Sequence, residues 1–297
     1  FFKSYPNLTV IISCLFWGTY WIPLRSIDSG SSASVWPLFL SFLFLALILL
    51  KPLIKSITDV LLNKNYFFLV GCFFAALGIS LYSESLLRGE IAKVVILFYL
   101  CPVWGTLLAR FILHQNFNLQ RYISLILGII GLEIILGFDQ GVFIPVSIVD
   151  WMALTAGFTW SLGITFFCLS KPSKGIEKTS ATGFLLPLFF LALTLVPGGR
   201  ETQMHSFDFA SNNTYLWILL FSVVWLLPSI FFTFVSVEIL DPGRINILLM
   251  FEVVIGITSA ALLTNEIIGL ENSGSTPNEV LDIYKKYKVS QTLRMSS

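Results

Sequence analysis

Apolar positions in this chain run in continuous blocks and do not alternate with polar ones. Nine blocks stand out, at 8–26, 33–52, 67–87, 91–113, 120–138, 149–170, 182–197, 214–238 and 245–264. A helix needs roughly 20 apolar residues to cross about 30 Å of hydrocarbon, and these blocks have that scale. A lipid-facing barrel would alternate along each strand, and an unpaired strand leaves its backbone unsatisfied in lipid. The pattern therefore predicts nine membrane-spanning helices, joined by short polar loops into antiparallel hairpins. Eight further blocks follow the first, which reads as a true span and not as a cleaved leader. Beyond Leu270 the chain turns polar. There Thr276-Pro277-Asn278-Glu279 forms a capping-box pattern with proline at the first helical position, which predicts a short surface helix.

Composition agrees with lipid as the solvent. Charged residues make up 12% of the 297 and hydrophobic residues 56%, whereas a soluble domain carries roughly 25% charged residues. The net charge of +1 gives no reason to expect a nucleic-acid partner. Cys14, Cys72, Cys101 and Cys168 form no C-x-x-C pair, and His114 and His205 lie far apart. No metal site, cofactor or enzymatic constellation is expected from them. Orientation follows from basic loop residues. With the N-terminus inside, the cytoplasmic side receives Lys3, Lys51, Lys55, Lys64, Arg110, Arg121, Lys171, Lys174, Lys178 and Arg244, and the outer side Arg25, Arg88, Lys93 and Arg200. The tail adds Lys285, Lys286, Lys288 and Arg294 on the outer side, against the rule, as if a tenth span were missing.

The chain also repeats itself. Residues 85–115 align without gaps to 236–266 at an offset of 151. Ser85 falls on Ser236, Glu90 on Asp241, Lys93 on Arg244, Val103 on Val254, Gly105 on Gly256 and Ala109 on Ala260. Leu15-Phe16-Trp17-Gly18 similarly matches Phe158-Thr159-Trp160-Ser161. A unit of five helices is odd, so two copies insert with opposite orientation, the geometry that underlies alternating access. The expected organisation is a first repeat over 1–141, a second over 142–270 and a polar tail over 271–297. Glu90/Lys93 and Asp241/Arg244 are each spaced i, i+3 and can meet on one helix face. They are candidates for paired outer and inner gates or for coupling, against the plain reading of interfacial charges at helix ends.

These residues carry a resemblance to EamA-type members of the drug/metabolite transporter superfamily. Trp17-Gly18 resembles the start of such proteins, and Phe98-Tyr99-Leu100-Cys101-Pro102-Val103-Trp104-Gly105-Thr106-Leu107-Leu108 their fourth helix. Gly131-Leu132-Glu133 is similar to the helix closing a repeat, Phe251-Glu252-Val253-Val254 to a Glu-Pro-Val motif, and Asn265-Glu266 to a Gly-Glu motif. The resemblance covers about residues 8–270. It implies an all-α integral membrane protein of inverted five-helix repeats, with a central cavity and a small-molecule substrate. Gln115 stands where an acidic residue is expected, Val253 where a proline is expected, and nine spans are readable where the family has ten.

Within this frame Glu252 is the leading candidate, because ionisable groups at membrane depth are costly. It can bind a substrate amine, couple transport to protons, or serve as a structural hydrogen-bonded carboxyl. Glu133 is a weaker candidate, and Glu84 and Glu238 lie nearer helix ends. Trp17, Tyr20, Trp21, Tyr82, Tyr99, Trp104 and Trp160 lie in the helices that the resemblance places around the cavity. An aromatic lining suits apolar or cationic solutes. Pro102 is the expected kink in the fourth helix. The reading is a secondary-active exporter of small organic metabolites (amino acids, amines or related solutes), in a bacterial inner membrane, lipid-embedded and able to form a homodimer. The alternatives are a non-transporting or truncated paralogue acting as a scaffold, and a membrane-embedded enzyme.

Overall fold

The computed structural model describes residues 4–29, 34–115, 147–195, 212–240 and 242–263, with scattered positions between 119 and 145. Helices build it throughout: α1 (Pro6–Gly18), α2 (Trp21–Ser29), α3 (Trp36–Ile48), α4 (Leu50–Asn63), α5 (Tyr66–Arg88), α6 (Ile91–Phe98) and α7 (Cys101–Phe111). The second half contributes α8 (Ile148–Leu169), α9 (Gly175–Ala192), α10 (Asn212–Leu220), α11 (Leu227–Ser236), α12 (Pro242–Leu249) and α13 (Phe251–Leu263). A π-helical stretch, Phe221–Leu226, links α10 to α11. Among the described residues seven stretches are long and apolar enough to cross a membrane, and an eighth is possible if the bent pair α3–α4 counts as one span. The chain is an all-α integral membrane protein. Most of block 120–138, and the tail helix expected near residue 277, lie outside the described residues.

Two boundaries differ from the hydropathy reading. Block 33–52 does not run straight: α3 turns by 70° into α4. Pro52 lacks an N–H, and its ring conflicts with the carbonyl four residues back, that of Ile48. The seventh block was expected to begin at 182, but α9 starts at Gly175. Glu177, Lys178, Thr179 and Ser180 look like a loop in sequence, yet all four are buried. Protein partners explain why. The Glu177 carboxyl accepts the Lys174 N–H at 2.9 Å, Lys55 pairs with Glu177 at 3.4 Å, and Lys178 donates to the Ser173 carbonyl at 3.0 Å. Lys178 is thus a buried helix residue and not a loop cation.

Prolines also interrupt three spans. Pro23 and Pro102 stand four residues after Thr19 and Phe98, and the helices break between Gly18 and Trp21 and between Phe98 and Cys101. Pro102 therefore sits in the first turn of α7. Pro228 follows the π-helical stretch in the same way. The last span breaks at Met250 without a proline, through i→i−3 bonds from Met250 N to Ile247 O (3.2 Å) and from Val253 N to Met250 O (3.1 Å).

Close packing then relies on small residues, as expected where lipid removes the hydrophobic drive between helices. Helix α5 lies along α8: a Cβ on Gly163 would sit 2.7 Å from the Ala75 nitrogen, and one on Gly78 2.9 Å from the Trp160 nitrogen. At the start of α8, Ser147 and Asp150 form a reciprocal capping box. The same Asp150 carboxylate accepts Lys93 Nζ at 2.7 Å, tying α6 to α8. Asp150→Ala removes the cap, worth about 1 kcal/mol, and also leaves Lys93 without that partner. We expect the thermal midpoint in detergent to fall by several degrees. A midpoint equal to wild type would show that this contact holds nothing together.

Candidate functional site

Three of the broken spans, the first, the fourth and the last, come together. Trp17 ends α1, Phe98 ends α6, and Leu249 and Glu252 flank the Met250 break; with Ile79 and Tyr82 of α5 and Trp160 of α8 they enclose a cavity. Its non-atom space, open mouth included, is about 270 Å³. Walls come from both halves of the chain. Glu252 lies in the first turn of α13, where the dipole of a half-helix directs its positive end towards the cavity.

Glu252 is buried, at 2% exposure, and its carboxyl accepts a hydrogen bond from the Tyr82 hydroxyl at 3.1 Å. The Tyr82 ring stacks on Phe98 with centroids 4.2 Å apart, and Tyr20 stacks on Tyr82 from the other side at 6.5 Å. Trp17 meets Trp160 edge-on at 5.9 Å. The polar atoms of these rings are mostly anchored. Trp17 Nε1 donates to the Ser229 carbonyl at 3.1 Å and to Thr233 Oγ1 at 3.2 Å. Tyr20 and Ser83 share a hydrogen bond at 2.9 Å, and Trp21 Nε1 donates to Ser259 Oγ at 3.0 Å. By contrast, Trp160 Nε1 is buried without a hydrogen-bond partner among the described residues. The walls are therefore rigid aromatic surfaces with one carboxyl.

Of the residues singled out in sequence, Trp17, Tyr82, Trp160 and Glu252 line this cavity. Tyr20 stands behind Tyr82, and Tyr99 packs edge-on against Phe98 at 5.4 Å. Trp21 faces Ser259, and Trp104 packs on Phe158 at 5.5 Å; neither is among the lining residues. Lys93 takes Asp150 as its partner and Glu90 is exposed. Arg244 is exposed, and Asp241 lies outside the described residues, as does Glu133. Glu84 is buried 3.7 Å from Arg88, and Glu238 accepts the Gly175 N–H. Three lining residues, Ile79, Phe98 and Leu249, were missed, because an apolar side chain in an apolar run carries no signal of its own. Ser229 and Thr233 did carry one: polar residues spaced i, i+4 within a span share a face that needs partners.

Residues 5–137 match the EamA-like transporter family. No curated protein matches the chain. A solved structure described as "Crystal structure of protein" superposes with a TM-score of 0.57 at 15% identity, over 89% of this chain and 90% of its own. That likeness concerns the fold alone.

Proposed function

Since residues 5–137 match the EamA-like transporter family, we propose that this chain is a member of the drug/metabolite transporter superfamily and moves small organic metabolites by alternating access between two inverted repeats, 1–141 and 142–270. The observation that carries this reading is the cavity at the helix breaks, with Glu252 in its wall and lining residues from both halves. Two further features support the repeat. The break at Tyr99 and the break at Met250 differ by 151 residues, the offset of the sequence duplication. Helix α7 packs against α8 just as α13 packs against α1, so each half lends its fourth helix to the first helix of the other. Broken helices are the parts that let one bundle rock against another around a fixed site.

In this proposal the N-terminus is cytoplasmic, the membrane is a bacterial inner membrane, and export is the working direction. The chain acts as a carrier and performs no covalent chemistry. Energy comes from an ion gradient or from exchange, since no Gly-rich Walker sequence is present. Purified protein in proteoliposomes, offered a panel of amino acids, amines and purines with and without a pH gradient, tests it. Protein-dependent counterflow of at least one class is the expected result. Flux equal to empty vesicles across the panel would remove the transport reading.

A further inference from the structure

Resting on that reading, we infer that the cavity selects small organic monocations with an apolar or aromatic body, and rejects amino acids and organic anions. The argument begins with charge. Glu252 is the one ionisable acid or base lining the cavity, set among Trp17, Tyr82, Phe98 and Trp160. Once ionised, this buried carboxyl is matched by a cation, and the surrounding ring faces attract the same cation through their quadrupoles. Those two attractions favour one sign of charge.

Among the described residues no basic side chain lines the cavity, and the positive end of α13 already carries Glu252 in its own first turn. Described basic side chains near the bundle are engaged at helix ends. Arg25 donates to the Leu86 and Gly89 carbonyls at 3.2 and 2.7 Å, and Lys93 donates to Asp150 at 2.7 Å. Arg88 stands 3.7 Å from Glu84, and Lys178 donates to the Ser173 carbonyl at 3.0 Å. A zwitterionic amino acid would satisfy Glu252 with its ammonium and bury its carboxylate without a partner, against aromatic faces that repel it. Burying an unpaired charge is strongly unfavourable.

Three probes share one phenyl group and differ in charge: phenethylammonium, L-phenylalanine and 3-phenylpropionate. Binding of each to the full chain in detergent, by calorimetry at neutral pH, separates them. Phenethylammonium is expected to bind at least about tenfold tighter than either of the others. Glu252→Gln should lose that preference, while Glu252→Asp, which keeps the carboxyl, should retain it. Melting curves of both variants establish that they are folded. Equal or tighter binding of phenylalanine or phenylpropionate, or no binding of phenethylammonium, overturns the inference. Counterflow of phenylalanine without phenethylammonium binding would leave transport standing and remove cation selection. Phenethylammonium binding without counterflow of any panel solute would keep cation selection and remove transport.

Discussion

Glu252→Gln is expected to lower solute flux in proteoliposomes by more than tenfold. The amide keeps the length and shape of the side chain, and its oxygen still accepts the Tyr82 hydroxyl that lies 3.1 Å from the native carboxyl. Packing around the Met250 break is therefore preserved, and what disappears is the charge. If the carboxylate pairs with a bound cationic solute, losing that charge costs roughly 2–5 kcal/mol, and each 1.4 kcal/mol is about tenfold. Tyr82→Phe is the informative comparison. It removes one hydrogen bond, worth about 1 kcal/mol net, and should slow flux by only several-fold while keeping the ring stacked on Phe98. If protons drive transport through this carboxyl, the Gln variant also loses its response to a pH gradient. Initial rates for Glu252→Gln within twofold of wild type would exclude Glu252 from the solute path, and a retained gradient response would place coupling on another group.

Gly157→Ala is expected to have the largest effect on stability of any single-methyl change considered. A Cβ on Gly157 would run into the carbonyl oxygen of Phe98, where α6 ends and the fourth span is broken. A backbone carbonyl cannot swing aside as a side chain can, so α8 must retreat from the cavity wall that Phe98 forms. Overpacking of this kind typically costs about 1–3 kcal/mol, and the thermal midpoint in detergent should fall clearly. Gly183→Ala is the matched control. Its added methyl would meet Leu45 Cδ2 at 3.3 Å, the mobile end of a side chain. Alanine is also preferred over glycine within a helix by up to about 1 kcal/mol. That variant should melt at or above wild type, and equal losses at both positions would refute the steric account of Gly157.

Several features of the fold could be read directly along the chain. Apolar runs located most spans because the requirement they answer, covering a helix in lipid, is local to the run. The break at Pro102 was readable for the same reason, since a proline acts on the carbonyl four residues earlier; Pro23 and Pro52 act in the same way but were not singled out. Glu252 stood out because a carboxyl at membrane depth has few explanations. Where local rules failed, a distant partner had overridden them. Lys93 had Glu90 on its own helix face, but chose Asp150, which the α8 capping box holds in place. The polar stretch Glu177–Ser180 resembled a loop, yet Lys55, Ser173 and neighbouring helices let it continue as the buried first turns of α9.

The candidate cavity divides along the same line. Its residue types, aromatic rings and a carboxyl, were visible in sequence; its membership was not. Trp104 and Trp160 are both tryptophans in apolar spans, yet Trp160 lines the cavity and Trp104 packs on Phe158. Nothing in the periodicity of either span distinguishes them, because every face of a membrane helix can be apolar. Leu249 reaches the cavity through the Met250 break, which has no proline to announce it. From sequence alone the chain is a multi-span helical membrane protein with an acidic group at depth, because lipid imposes that composition run by run. The cavity membership, the Tyr82–Glu252 bond and the Lys93–Asp150 tie were decided only in three dimensions. Each depends on which faces of separate helices meet, and hydropathy along one helix does not encode that choice.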